Sequence, residues 1–349
     1  MMALTLAMVA ETVPPNKIGS AMGLLGTMSA IGTALGPSLG GLLIAAAGWP
    51  SIFLINVPLG LLAVVLAYKY LPVTRKSTKP VRAGFDVPGT LALAVTLPAY
   101  ALAMTINKGH LGKSNLVLLA IAGLGLLVFL FIEAKARTPL IRLQMFRSRA
   151  LSAGLAMTAL VTIVLMTTMV VGPFYLSGGL KLDTAHVGLV MSVGPVVAAL
   201  SGVPAGRFVD RLGAVRVMTA GLGALAAGSL LLAVMPLATG VTGYIASITV
   251  LTAGYGAFQA ANNTVIMSGI SSDSRGVVSG MLNLARNLGL ITGASLMGAV
   301  FAKGAAVPDI NRAAPSALAS GMHLTFAVAT IMIGIAIALG LLMRSGNKS

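Results

Sequence analysis

G-T-A-L-G-P-S-L-G-G, residues 32 to 41, places glycines four apart inside an uncharged run and adds a proline. Gly32, Gly36 and Gly40 share one face of a helix, with Gly41 beside them, and glycines at that spacing let a second backbone come close. Pro37 has no N–H to offer the Thr33 carbonyl and its ring crowds that carbonyl, so the pattern predicts a helix that bends at Pro37. A helix packed inside a membrane suits both properties, although an ordinary small-residue helix contact would use the same glycines.

The rest of the chain supports the membrane setting. Of its 349 residues 57% are hydrophobic and 9% charged, with a mean hydropathy of +0.98, whereas soluble domains run at about 25% charged. There is no cysteine, so disulfides, thiolate metal sites and cysteine nucleophiles are excluded. The net charge of +16 would suggest nucleic acid in a soluble protein. Here the basic residues lie in short loops between apolar runs, where their expected role is to orient helices.

Apolar runs long enough to cross a hydrocarbon core of roughly 30 Å fall near 18–47, 52–71, 87–106, 114–133, 149–176, 184–206, 215–236, 242–269, 276–302 and 321–343. Before them Met1 to Val13 is apolar but too short to cross, and reads as the tail of a further span. Its first charge is Glu11, with no basic residue ahead of the apolar part, unlike a secretory signal. Lysines and arginines sort onto alternate loops, 17 on the side of Lys17 and the C-terminal tail against 5 opposite, with Arg286 left inside a span. By the excess of positive charge the larger set is cytoplasmic, and so is the C-terminus.

The glycine pattern recurs 257 residues downstream: Gly19, Gly23, Gly32, Gly36 and Gly41 align with Gly276, Gly280, Gly289, Gly293 and Gly298. Both copies follow a cytoplasmic loop, as a duplicated half would. The second half begins near Arg147, 129 residues ahead of Gly276, but only 18 residues precede Gly19. About 110 residues of the first half, three spans and part of a fourth, are therefore expected to lack a counterpart here.

The stretch from Pro14 to Pro58, P-P-N-K-I-G-S-A-M-G through G-P-S-L-G-G to G-W-P-S-I-F-L-I-N-V-P, resembles the fourteen-span drug and proton antiporters of the major facilitator superfamily, in their fifth span and the start of the sixth. Gly32, Gly36, Pro37, Gly40 and Gly41 match that family's antiporter motif. G-R-F-V-D-R-L-G-A-V-R, from Gly206 to Arg216, is similar to the superfamily's cytoplasmic gate loop, with its basic run shortened. The resemblance implies an all-α polytopic membrane protein of the major facilitator fold, with about ten complete transmembrane helices and a partial N-terminal one. Residues 1–71 would be the remnant of the N-terminal half, 72–146 two inserted linker spans with their loops, and 147–349 the C-terminal six-helix half. The family's first-span aspartate, its stronger gate signature and its fourth-span arginine have no match in this chain.

Arg286 is the one ionisable residue expected inside a span, where charge is costly enough to mark a functional or paired group. Asn283, Arg286 and Asn287 share one face of the thirteenth span, and Gln259, Asn262 and Asn263 repeat the spacing on the twelfth, with Tyr255 a turn away. They either tie two helices together by hydrogen bonds or line the substrate cavity that the resemblance implies. At the gate loop, Asp210 is expected to cap the eleventh span, Arg211 or Arg216 to pair with neighbouring helix ends, and Gly206 and Gly213 to permit the turn. The four threonines Thr158, Thr162, Thr167 and Thr168 should bond back to their own helix. All seven acidic residues, Asp86, Glu133 and Asp210 among them, are assigned to loops or helix edges.

The leading expectation is a proton-coupled efflux transporter of the bacterial inner membrane that exports amphipathic toxic compounds by alternating access. The alternatives are a non-transporting fragment and an exporter of one anionic metabolite, which the arginine would favour. No catalytic constellation, metal cluster or cofactor motif is present, so neither an enzyme nor a cofactor is expected. The expected partners are a small-molecule substrate, protons and the lipid bilayer, with an accessory envelope protein as a further candidate and no nucleic acid.

Overall fold

The computed structural model describes residues 2–70, 86–106, 112–136, 139–307, 310 and 313–345. Twelve α-helices carry almost all of them: α1 Met2–Thr12, α2 Ile18–Ala47, α3 Ser51–Leu54, α4 Asn56–Tyr70, α5 Val87–Thr105, α6 Lys113–Lys135, α7 Arg149–Phe174, α8 Thr184–Leu212, α9 Ala214–Val234, α10 Gly240–Ser268, α11 Arg275–Ala305 and α12 Pro315–Ser345. Among the described residues nine helical segments are long and apolar enough to span a membrane, and α2 adds a shorter apolar stretch, Ile18–Gly32. In lipid every backbone polar group must be satisfied within its own segment, so apolar runs of this length form helices. A helix therefore sits at each expected span.

Helices α7 to α12 pack around one core that includes Met157, Val161, Leu225, Leu251, Phe301 and Phe326. Leu151, Leu155, Ile266, Met267, Val278 and Leu282 form a second cluster with Ala10, Ile18 and Met22, which ties α1 and α2 to α7, α10 and α11. The α5–α6 hairpin touches this body through α11, where the Tyr100 and Thr292 hydroxyls hydrogen-bond. No residue of α4 is buried.

Close backbone approach occurs along α2, but not at Gly32, which opens the glycine motif. Gly19 and Gly23 interlock with Gly202 and Gly206 of α8. A Cβ on Gly23 would lie 3.0 Å from the Gly206 Cα, and one on Gly202 would lie 2.8 Å from the Gly23 carbonyl oxygen. Around Gly32 there is open space. The second copy reverses this: Gly276 and Gly280 are open, while Gly289 and Gly293 press on α7, with added Cβ atoms 2.6 Å from the Ala159 oxygen and 2.9 Å from the Ile163 oxygen. At the aligned positions that are described in both copies, the first closes at Gly19 and Gly23 where the second is open, and the second closes at Gly289 where Gly32 is open. Gly36, Pro37, Gly40 and Gly41 lie within α2, which is helical through Pro37; side chains 33–42, and with them the expected bend, lie outside the described residues.

Candidate functional site: a helix latch and an apolar cavity

Where a loop was expected from Gly206 onward, α8 continues for two more turns to Leu212. Gly206 is therefore a helix residue whose missing side chain admits the Gly19 carbonyl, and only Gly213, at φ 88°, makes the turn into α9. The extension carries Asp210 to the start of α2. Its Oδ1 accepts from the Gly19 N–H at 2.8 Å, and its Oδ2 accepts from the Ser20 N–H at 2.9 Å and from the Ser20 hydroxyl. These amides belong to the first turn of α2, where no intrahelical acceptor exists and the helix dipole favours an anion. Asp210 thus caps α2, 191 residues away from Gly19 in the chain, instead of the following helix as its position suggested. Arg211 and Arg216 are exposed and form no ion pair among the described residues, contrary to the expected pairing.

Two adjoining cavities, of about 280 and 340 Å³, lie between α2, α7, α8, α10 and α11, together within the range of small-molecule sites. They share Met22, Gly26, Ser29, Tyr255, Gln259 and Arg286 as wall. The first adds Met166, Met169 and Met191, soft side chains that adapt to varied apolar shapes. Asn262, Asn263 and Asn283 line the second, with Thr158 and Thr162 of α7. Asn287 is exposed and lines neither, because one residue beyond Arg286 the helix has turned its side chain away.

The polar set serves two purposes. Asn262, 1% exposed, donates to the Gly154 carbonyl at 3.2 Å and the Thr158 hydroxyl at 2.9 Å, and so ties α10 to α7. Asn283 donates to the Ser279 carbonyl of its own helix at 3.0 Å. Gln259 instead faces α2, with its Oε1 3.6 Å from where a Gly26 Cβ would stand. Tyr255, itself buried, and Arg286 face both cavities. The threonines behave as expected: Thr158, Thr162, Thr167 and Thr168 donate to carbonyls three or four residues back.

One pair escaped the sequence reading. Asp86 caps α5 and Glu133 lies two residues from the end of α6, at helix edges as expected, but both are buried. Their 47-residue separation hid the pairing; the available signal was that a hairpin brings the start of one helix beside the end of the next. Among the described residues there is no cluster of metal-binding side chains.

The model of the Major Facilitator Superfamily matches residues 1–294. The chain belongs to that superfamily, one of transporters. Among its relatives, the riboflavin transporter RibZ of Clostridioides difficile is 29% identical over 359 residues, covering 100% of this chain and 75% of RibZ. The multidrug resistance protein Stp of Mycobacterium tuberculosis is 26% identical, covering 89% of this chain and 58% of Stp. The multidrug transporter protein MdtP of Bacillus subtilis is 22% identical, covering 86% and 56%. The chain of this superfamily member thus spans little more than half the length of Stp and MdtP.

Proposed function

We propose that this superfamily member provides the substrate cavity and one cytoplasmic latch of a proton-coupled efflux transporter, akin to the fourteen-span drug antiporters, in a bacterial cytoplasmic membrane. Substrates would be drugs or other amphipathic toxic compounds, and Gly32, Gly36, Pro37, Gly40 and Gly41 the antiporter segment. The observation that carries the reading is the cavity wall, mostly apolar and rich in methionine, with Ser29, Tyr255, Gln259 and Arg286 as its shared polar groups. Such a wall binds varied amphipaths without demanding one shape. The contact of Asp210 with α2 holds α8 against α2 beside that wall, and its breaking and re-forming would gate the cavity during alternating access. The names of Stp and MdtP support drug export.

Arg286 favours a second reading, export of one anionic compound, since an arginine in the cavity wall attracts anions and repels cations. Efflux from cells producing the protein decides, using a set of fluorescent cations and anions with Arg286→Ala and Arg286→Lys. The drug reading expects several compounds to be moved, with the set altered by Arg286→Ala. Movement of one anion alone, retained in Arg286→Lys and lost in Arg286→Ala, supports the second reading. Unchanged transport of every compound by Arg286→Ala refutes a role for this wall.

A further inference from the structure

The α5–α6 hairpin holds two carboxyl groups that neither the cavity nor the latch uses. Asp86 is 8% exposed and Glu133 3%. Asp86 Oδ1 accepts from the Gly89 N–H at 2.9 Å as the cap of α5, and Glu133 Oε2 accepts from the Ile141 N–H at 3.3 Å in the segment after α6. The other oxygen of each, Asp86 Oδ2 and Glu133 Oε1, is buried and has no donor.

These two orphan oxygens converge. A Cβ on Gly89 would meet Asp86 Oδ2, and it would stand 2.9 Å from Asp86 Cγ and 3.0 Å from Glu133 Oε1. Glycine at 89 thus leaves the space into which both carboxyls reach, one oxygen of each lying within 3.0 Å of the same point. If both were ionised, each would be an acceptor only, and two like charges would face one another away from water. Neither acid is in an ion pair among the described residues. Lys135 on α6 sets its ammonium 4.0 Å from the Phe131 ring centre. From α11, the other helix that α5 contacts, Tyr100 meets the neutral Thr292; Arg286 lies on the cavity wall, and Arg275 and Lys303 pair with neither acid.

We propose that Asp86 and Glu133 hold one proton between them, forming a proton-binding site at one end of the α5–α6 hairpin, outside the central cavity. A single proton turns two buried orphan acceptors into one short donor–acceptor contact and removes the repulsion. The proton then belongs to the pair and is assigned to neither residue alone. It is taken from the water at that end of the hairpin, and its loss leaves two facing anions that push the start of α5 away from the end of α6.

The test is infrared spectroscopy of the purified full chain in lipid nanodiscs, titrated from mildly acidic to alkaline pH in H₂O and D₂O. The expected result is a carbonyl-stretch band of a buried neutral carboxylic acid that persists at neutral pH, shifts in D₂O and titrates as one proton. It should be lost in Asp86→Asn and in Glu133→Gln, because either amide donates the hydrogen that the proton supplied, and kept in Asp210→Asn. Absence of the band from the unsubstituted chain at neutral pH overturns the proposal without reference to any variant. So does a band that survives both substitutions. Stoichiometric binding of calcium or magnesium that replaces the band would mark a cation site and overturn it as well.

Discussion

Substituting Asp210 by alanine removes the acceptor for three hydrogen bonds at the start of α2, from the Gly19 N–H, the Ser20 N–H and the Ser20 hydroxyl. Loss of a helix cap costs about 0.5–2 kcal/mol, and a hydrogen bond to a charged group nets about 1.5–3 kcal/mol. The three share one carboxylate that is only partly buried, and once α2 and α8 separate both sides regain water. Their sum is therefore far below three independent bonds, and about 2 kcal/mol is a reasonable total. That corresponds to roughly 30-fold in the equilibrium between joined and separated helix ends, enough to raise a separated population of about 1% to about a quarter. Asp210→Asn keeps one acceptor oxygen and loses the charge, so about half the effect remains. Ser20→Ala removes the hydroxyl bond alone and should shift the equilibrium least. Because the chain has no cysteine, spin labels introduced through Lys17→Cys and Arg211→Cys report only the distance between these two ends. Pulsed electron resonance should show a longer distance growing in the order Ser20→Ala, Asp210→Asn, Asp210→Ala. A distribution in Asp210→Ala that matches the parent, in chains inserted to the same level, would refute the latch.

Gly202→Leu should separate α2 from α8 and destabilise the chain by about 1–3 kcal/mol through overpacking, whereas Gly32→Leu, which points into open space, should leave the melting temperature of this chain unchanged; equal effects would contradict the glycine pattern. Asn262→Ala should lower stability by about 0.6–1.7 kcal/mol through loss of the α10–α7 tie, read as a shift in thermal unfolding in detergent, and no shift would assign the amide to the cavity alone. Asp183 caps α8 through the His186 N–H, and that bond, with the contact to the His186 ring, holds its carboxyl below the usual carboxylate range. A lowered value means that the cap is fully formed above the ordinary carboxylate pKa and is lost as pH falls through the lowered one. Hydrogen exchange at the start of α8 should therefore rise only under strong acid, and Asp183→Asn should abolish that dependence.

How far each feature could be read in advance depended on the range of the interaction behind it. The bounds of the spans were legible because backbone satisfaction in lipid is local: α2 occupies 18–47 as its apolar run did, and α8 ran past expectation only because its last two turns are amphipathic instead of apolar. Thr158 and Thr162 were equally legible, since their acceptors lie within a turn of the same helix. Arg286, Tyr255 and Gln259 could be placed on facing helices by spacing, but Asn287 could not be excluded, because the width of a cavity wall is set by its neighbours.

By itself, the sequence determined that this is a polytopic helical protein with a repeated glycine pattern, since hydropathy and helical period act along the chain. Tertiary structure alone decided which glycines close, which helix Asp210 caps, and that Asp86 meets Glu133. Each of these depends on elements tens to hundreds of residues apart being brought into contact, and hydrogen bonds and packing act only over a few ångströms, so no local pattern encodes which distant partner will arrive there.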